Sequence, residues 1–164
     1  MKSTIANKIN SMKQILVFFS LALSLVSCAS CSKNLPSKSK NNNITTTAAS
    51  KMKIKVGNSI FAVTLYDNAT ATAFKALLPL TVNMVELNSN EKYVDLPRSL
   101  PANASNPGTI QNGDLMLYGS STLVLFYKTF STSYSYTKLG RIDDVTGLVA
   151  ALGSGKVTVW FEAE

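Results

Sequence analysis

The sequence predicts an all-β domain with two short helices, closed into a barrel or stacked as a sandwich. Three observations carry this expectation. Apolar residues alternate with polar ones in short runs from Met52 to the end, at even spacing and with turn residues between them. Only two windows carry a helical pattern, and both are short. Nearly half of the 164 residues are hydrophobic, enough for one real core.

The elements follow in order. "MKIKV" and "SIFAVTLY" alternate on either side of Gly57-Asn58 and read as a hairpin. "DNATATAFKALLP" reads as a helix, capped by Asn68 or Thr70, with Phe74, Leu77 and Leu78 on one face and Pro79 as its stop. "LTVNMVEL" reads as a strand with Leu80, Val82, Met84 and Glu86 on one side. Residues 88–112 are rich in Pro, Asn and Gly and read as loop, with a short strand at Lys92–Val94. A loop of that length inside a compact domain is usually functional or packed against something. "DLMLYG" and "TLVLFYKTF" are two strong strands joined by Gly119-Ser120-Ser121, and "SYSYTKLGRID" alternates as another. This pattern places Tyr134 and Tyr136 on one side of a strand, and Phe126, Lys128 and Phe130 on one side of its predecessor. "DDVTGLVAAL" reads as a helix capped by Asp143 or Asp144, ending near Gly153, and "KVTVWFEA" closes the domain as a strand.

Upstream, "MKQILVFFSLALSLVSC" has a positive start, the 12-residue apolar run Ile15–Val26 and small residues before a cysteine. The run is short for a membrane span and suits a signal-peptide core. "LVSC" resembles a bacterial lipobox. The resemblance implies cleavage before Cys28 and a lipid on its thiol. Residues 1–27 are then a lipoprotein signal peptide, with Met1 or Met12 as start. Ala29 in place of Asp leans towards an outer-membrane or surface address, and Cys31 is a bystander. Residues 28–51, "CASCSKNLPSKSKNNNITTTAASK", hold almost nothing apolar and read as a flexible tether. At about 3.3–3.6 Å per extended residue, the tether reaches roughly 75 Å. Residues 52–164 are the domain.

Charge separates along the same boundaries. Residues 1–28 and 29–51 contain three and four lysines and no acid, while residues 52–164 balance seven Lys and two Arg against nine acids. The net charge of +7 therefore belongs to the leader and tether. The neutral domain has no basic stripe for phosphates, so no nucleic-acid partner is expected. With no histidine anywhere, a Ser-His-Asp or Cys-His triad is impossible. Both cysteines lie at or before Cys31, so the domain has neither a disulfide nor a cysteine metal site. No acidic spacing suggests a metal, no glycine-rich phosphate loop is present, and no cofactor is expected.

Together, "IQNGDLMLY", "LVLFYKTF", "LGRIDDVTGL" and "KVTVWFE" resemble the bacterial cyclophilin-like domains, a branch of the cyclophilin fold. Gln111 before Gly113-Asp114, Phe126-Tyr127, Leu139-Gly140-Arg141-Ile142 and then Asp143 or Asp144 occur in the family's order. The resemblance covers about Met52 to Phe161. It implies a closed eight-stranded β-barrel with a helix at each end, and it raises peptidyl-prolyl isomerase activity. The family's arginine lies eight residues before the glutamine, where this chain has Asn103; Arg98 is near but out of register. The aromatic and methionine of the family's pocket floor are Gly108 and Thr109 here, and its histidine is Tyr136. The implied groove residues are thus Arg98, Gln111, Phe126 and Tyr136. The expectation is a lipid-anchored envelope protein that binds a peptide or small molecule without the usual isomerase residues. The alternatives are a divergent isomerase using Arg98 and Gln111, and a structural or assembly partner at the membrane.

Overall fold

A computed structural model describes residues 50–164, and the expected signal peptide, Cys28 and nearly all of the tether lie outside the described residues. Chain order is β1 (Lys51–Val56), β2 (Ser59–Leu65), α1 (Ala69–Lys75), β3 (Leu80–Leu87), β4 (Glu91–Asp95), β5 (Thr109–Ile110), β6 (Asp114–Tyr118), β7 (Thr122–Phe126), β8 (Phe130–Ser131), β9 (Thr137–Ile142), α2 (Leu148–Leu152) and β10 (Val157–Ala163). Eight strands close in the order β1-β10-β3-β4-β7-β6-β9-β2, every pair antiparallel. This decides between barrel and sandwich. Closure leaves the barrel no open edge, and β5 and β8 pair separately as a two-stranded ribbon.

Strand alternation places one set of side chains inside. Met52, Ile54, Val63, Met84, Leu115, Leu117, Leu123, Leu125, Val159 and Phe161 are fully buried in one core cluster. Phe74 of α1 and Leu148 and Leu152 of α2 join the same core, with Phe74 edge-on to Phe161 at 5.6 Å. Glu86 faces inwards, as its position in β3 predicts. There it meets Lys92 of β4, with Nζ 2.5 Å from Glu86 Oε2, and Tyr127, whose hydroxyl donates to Oε1 at 2.6 Å. Lys92 also donates to the carbonyls of Gly153 and Gly155 at 3.0 and 2.8 Å. Burial pushes the Glu86 carboxyl up, but the Lys92 and Tyr127 hydrogen bonds more than offset it and hold it below its usual range. Burial, then the hydrogen bond to Glu86, pushes the Tyr127 phenol up to about 12.

Two motif glycines are required by close approach. Gly140 pairs with Leu65, and a Cβ there would lie 2.7 Å from the Thr64 carbonyl. Gly113 has φ +90, and its Cβ would lie 2.6 Å from Val145 Cγ1. Its amide donates to the Phe126 carbonyl and its carbonyl accepts from the Ile142 amide, which ties the start of β6 to β7 and β9.

Several local expectations need correction. α2 is not capped by Asp143 or Asp144: Gly147 is its N-cap, with no side-chain cap bond. Asp143 instead accepts from Lys51 at 2.8 Å and from Thr64 at 2.6 Å, so its acidity serves a tie between β1, β2 and the end of β9. Asp144 accepts from the Thr146 amide at 2.9 Å in a local turn. Those hydrogen bonds hold both carboxyls below the usual range. α1 ends at Lys75, four residues before Pro79, with Ala76 as its C-cap. β7 stops at Phe126 and β9 begins only at Thr137, so Lys128, Tyr134 and Tyr136 lie in connecting chain. Backbone amides there bond elsewhere: Tyr136 pairs with Ser105 in an isolated bridge. The ribbon of β5 and β8 falls where the sequence predicts loop and the tail of a longer strand, because two residues are too few to show a period.

Candidate functional site: a tyrosine-lined pocket on the barrel wall

The other set of strand side chains points outwards, and on β4, β6 and β7 it is not left to water. Met116, Val124 and Phe126 form a second buried cluster with Ile110 and Tyr136, and Tyr93 and Phe130 pack against it. The ribbon supplies Ile110 and Phe130, and the chain between β8 and β9 supplies Tyr136. Phe126 is the hub, with the Tyr136 ring edge-on at 5.4 Å and the Phe130 ring tilted at 5.8 Å.

Beside this cluster lies a pocket of about 400 Å³, lined by Leu87, Asn88, Glu91, Tyr93, Tyr118, Thr122, Val124, Tyr134 and Tyr136. Register explains the gathering. Glu91 and Tyr93 are two apart on β4 and share its outer face, opposite Phe126 and Val124 of β7. Tyr118 ends β6 opposite Thr122. Tyr118 then meets Tyr134 edge-on at 6.3 Å and Tyr136 at 5.7 Å with the rings tilted by 54°. Leu87, Tyr118 and Tyr134 are three of the six large apolar side chains that stay exposed among the described residues, so exposed apolar surface concentrates at this mouth.

Glu91 is the acidic residue of the lining. It is 8% exposed, and its carboxylate makes no hydrogen bond or ion pair among the described residues. Burial, then the charge of Glu86, pushes its pKa up. The Tyr136 phenol is pushed up to about 12, by burial first and then by Glu91, Tyr118 and Tyr134. No lining residue is basic. Among the described residues, no group of three or more acids and cysteines is placed to hold a metal ion.

The four residues expected to share a groove separate into two kinds. Phe126 and Tyr136 meet, Phe126 beneath the surface and Tyr136 in the pocket wall. Gln111 follows buried Ile110 in the turn into β6, where its amide donates to Asp114 Oδ2 at 2.8 Å and its carbonyl accepts from the Asp114 amide. Its side chain is not part of the lining. Arg98 is exposed on a segment pinned to the β6–β7 turn by Leu96 and Leu100 amides bonded to the Ser121 and Ser120 carbonyls, and it too is outside the lining. Asn103 lines a different depression with Asn68, Thr70 and Lys138. Sequence reasoning missed Glu91, Tyr93 and Tyr118. The signal for the first two was the Glu-x-Tyr alternation within β4; nothing local marked Tyr118.

The family model described as the cyclophilin-like family matches residues 54–162, from inside β1 to near the end of β10. This chain belongs to the cyclophilin-like family. A solved structure similar to this cyclophilin-like chain is the solution structure of a hypothetical protein from Archaeoglobus fulgidus, at 17% identity. The match covers 71% of this chain and 95% of that one, with a TM-score of 0.47. No curated protein matches the chain. In this cyclophilin-like barrel, Gly113 and Gly140 lie within the matched residues and are the glycines whose close contacts leave no room for a side chain.

Proposed function

We propose that this chain is a lipid-anchored binding protein of the bacterial envelope, whose barrel takes a peptide or small molecule in the tyrosine-lined pocket without prolyl isomerase chemistry. The observation that carries this reading is the pocket itself: concave, with four tyrosines and two aliphatic side chains in its lining and a few polar groups among them, as in small-ligand sites. Rotation about a peptide bond has a barrier of about 18–20 kcal/mol, and the isomerase reading lowers it by an arginine that polarises the prolyl nitrogen. The lining offers tyrosine hydroxyls and a carboxyl, with no arginine or histidine. A divergent isomerase would need Arg98 there.

A proline-peptide isomerisation assay on the detergent-solubilised protein is expected to show no acceleration. Acceleration that disappears in Arg98→Ala would establish the isomerase reading instead. The address rests on the "LVSC" motif and the apolar run before it. Palmitate labelling in a bacterial host is expected in the wild type and lost in Cys28→Ala; label that persists in the variant overturns the anchor.

A further inference from the structure

Taking that pocket as the binding site, on which this inference rests, we propose that its ligand carries an organic ammonium group, held by the Glu91 carboxylate against the surrounding tyrosine rings. A carboxylate buried to this degree is stabilised by pairing or else gives up its charge. Glu91 has no partner among the described residues, and its side chain opens on the pocket. Its neighbour Lys92 points to the other face of β4, into the barrel, where Glu86, Gly153 and Gly155 engage it. Arg98 is outside the lining. No lining residue supplies the matching positive charge, and a cationic ligand in the pocket would.

The tyrosines supply the second half of the recognition. Tyr93, Tyr118, Tyr134 and Tyr136 surround the same space. Tyr118 stands at 85° to Tyr134 and at 54° to Tyr136, so the rings form walls rather than a stack. An aromatic face attracts a cation within about 6 Å of its centroid. With its phenol pushed up to about 12, Tyr136 stays a neutral ring at physiological pH. An anion would meet Glu91 as a like charge, and a neutral alkyl group would leave the carboxylate unpaired. A volume of about 400 Å³ suits one compact head group, with Leu87 and Tyr134 at the mouth to cover its alkyl portion. Binding also carries a proton signature. Burial holds the empty-pocket Glu91 carboxyl above its usual pKa, and an adjacent cation reverses this, so ammonium affinity rises with pH through that range.

Choline and its uncharged carbon isostere 3,3-dimethylbutanol separate charge from shape. Both are titrated into full-length protein in neutral-detergent micelles, with isotope-labelled tyrosines read by NMR, beside N-acetylproline amide and N-acetylglycine as neutral and anionic probes. Choline is expected to shift the Tyr118, Tyr134 and Tyr136 ring signals and to bind about tenfold more tightly than the isostere. Glu91→Gln is expected to weaken choline about tenfold, to leave the isostere unchanged, and to remove the rise in choline affinity as pH increases above the ordinary glutamate range. Tyr134→Leu, at an exposed position that tolerates replacement, keeps apolar bulk but loses the π face and is expected to weaken choline severalfold. If 3,3-dimethylbutanol, N-acetylproline amide or N-acetylglycine binds the rings as tightly as choline, the ammonium inference fails and the binding pocket stands. If no probe shifts the rings, both fail.

Discussion

Glu91 and Lys92 are adjacent in sequence and face opposite sides of one strand, and their environments set opposite consequences for stability. Because burial raises the folded-state pKa of Glu91 above its unfolded value, the native protein binds more protons than the unfolded chain across that window. Stability contributed by this group is present at low pH and falls as pH rises through the window. Glu91→Gln removes the buried charge. It is expected to raise the thermal midpoint near pH 7, with the difference closing near pH 4, as followed by circular dichroism at both values. Lys92 behaves in the contrary way. It is fully buried and anchors Glu86 and two carbonyls, so Lys92→Ala leaves three polar groups without their donor. A loss of about 3–5 kcal/mol is expected in urea unfolding, and Lys92→Met combined with Glu86→Gln should recover much of it by removing the uncompensated charge.

At the scale of elements, short helices depend on their ends and close strand pairs on their smallest residues. α1 has only seven residues and is held by Asn68, whose Oδ1 accepts from the Ala71 amide at 2.8 Å while Nδ2 donates to the Lys138 carbonyl at 2.9 Å. One side chain caps the helix and docks it to β9. Asn68→Ala is therefore expected to cost about 1–2 kcal/mol, at the upper end for a cap, read from the denaturant midpoint. Gly140→Ala forces a Cβ against the Thr64 carbonyl, where backbone on both sides must move. A loss of about 1–3 kcal/mol is expected, together with shifted amide signals along β2 and β9. The hairpin of β1 and β2, the position of α1 and the paired strands β6 and β7 were all legible in sequence, because alternation, an Asn cap and a glycine turn are local signals. The cap of α2 was not. Asp143 and Asp144 have the right chemistry for an N-terminus, but long-range bonds to Lys51 and Thr64 claim Asp143, and Asp144 closes its own turn.

At the scale of the molecule, closure and a double covering of one wall set the hierarchy of stability. β6 and β7 are buried on both faces, by the barrel core inside and by Ile110, Tyr136 and Phe130 outside. Their amides are expected to exchange with solvent most slowly, by global unfolding alone. The ribbon of β5 and β8, with two residues in each strand, is expected to exchange far faster. Hydrogen-exchange mass spectrometry checks the order, and equal protection of the ribbon would contradict it.

The sequence by itself determined the strand-rich class, the family, the electroneutral stretch after a basic N-terminal segment, and the lack of histidine in this chain. These follow from composition, alternation and turn residues, which act within a few positions of each other. Only the tertiary structure decided which side chains share a wall. Closing the barrel set the register that puts Glu91 and Tyr93 opposite Phe126 and Val124, and the chain beyond β8 folds back to bring Tyr134 and Tyr136 against Tyr118. Arg98 and Gln111, near each other in sequence and joined by family resemblance, were drawn instead into a pinned loop and a turn. A pocket is a product of strand order, and strand order joins residues that no local pattern connects.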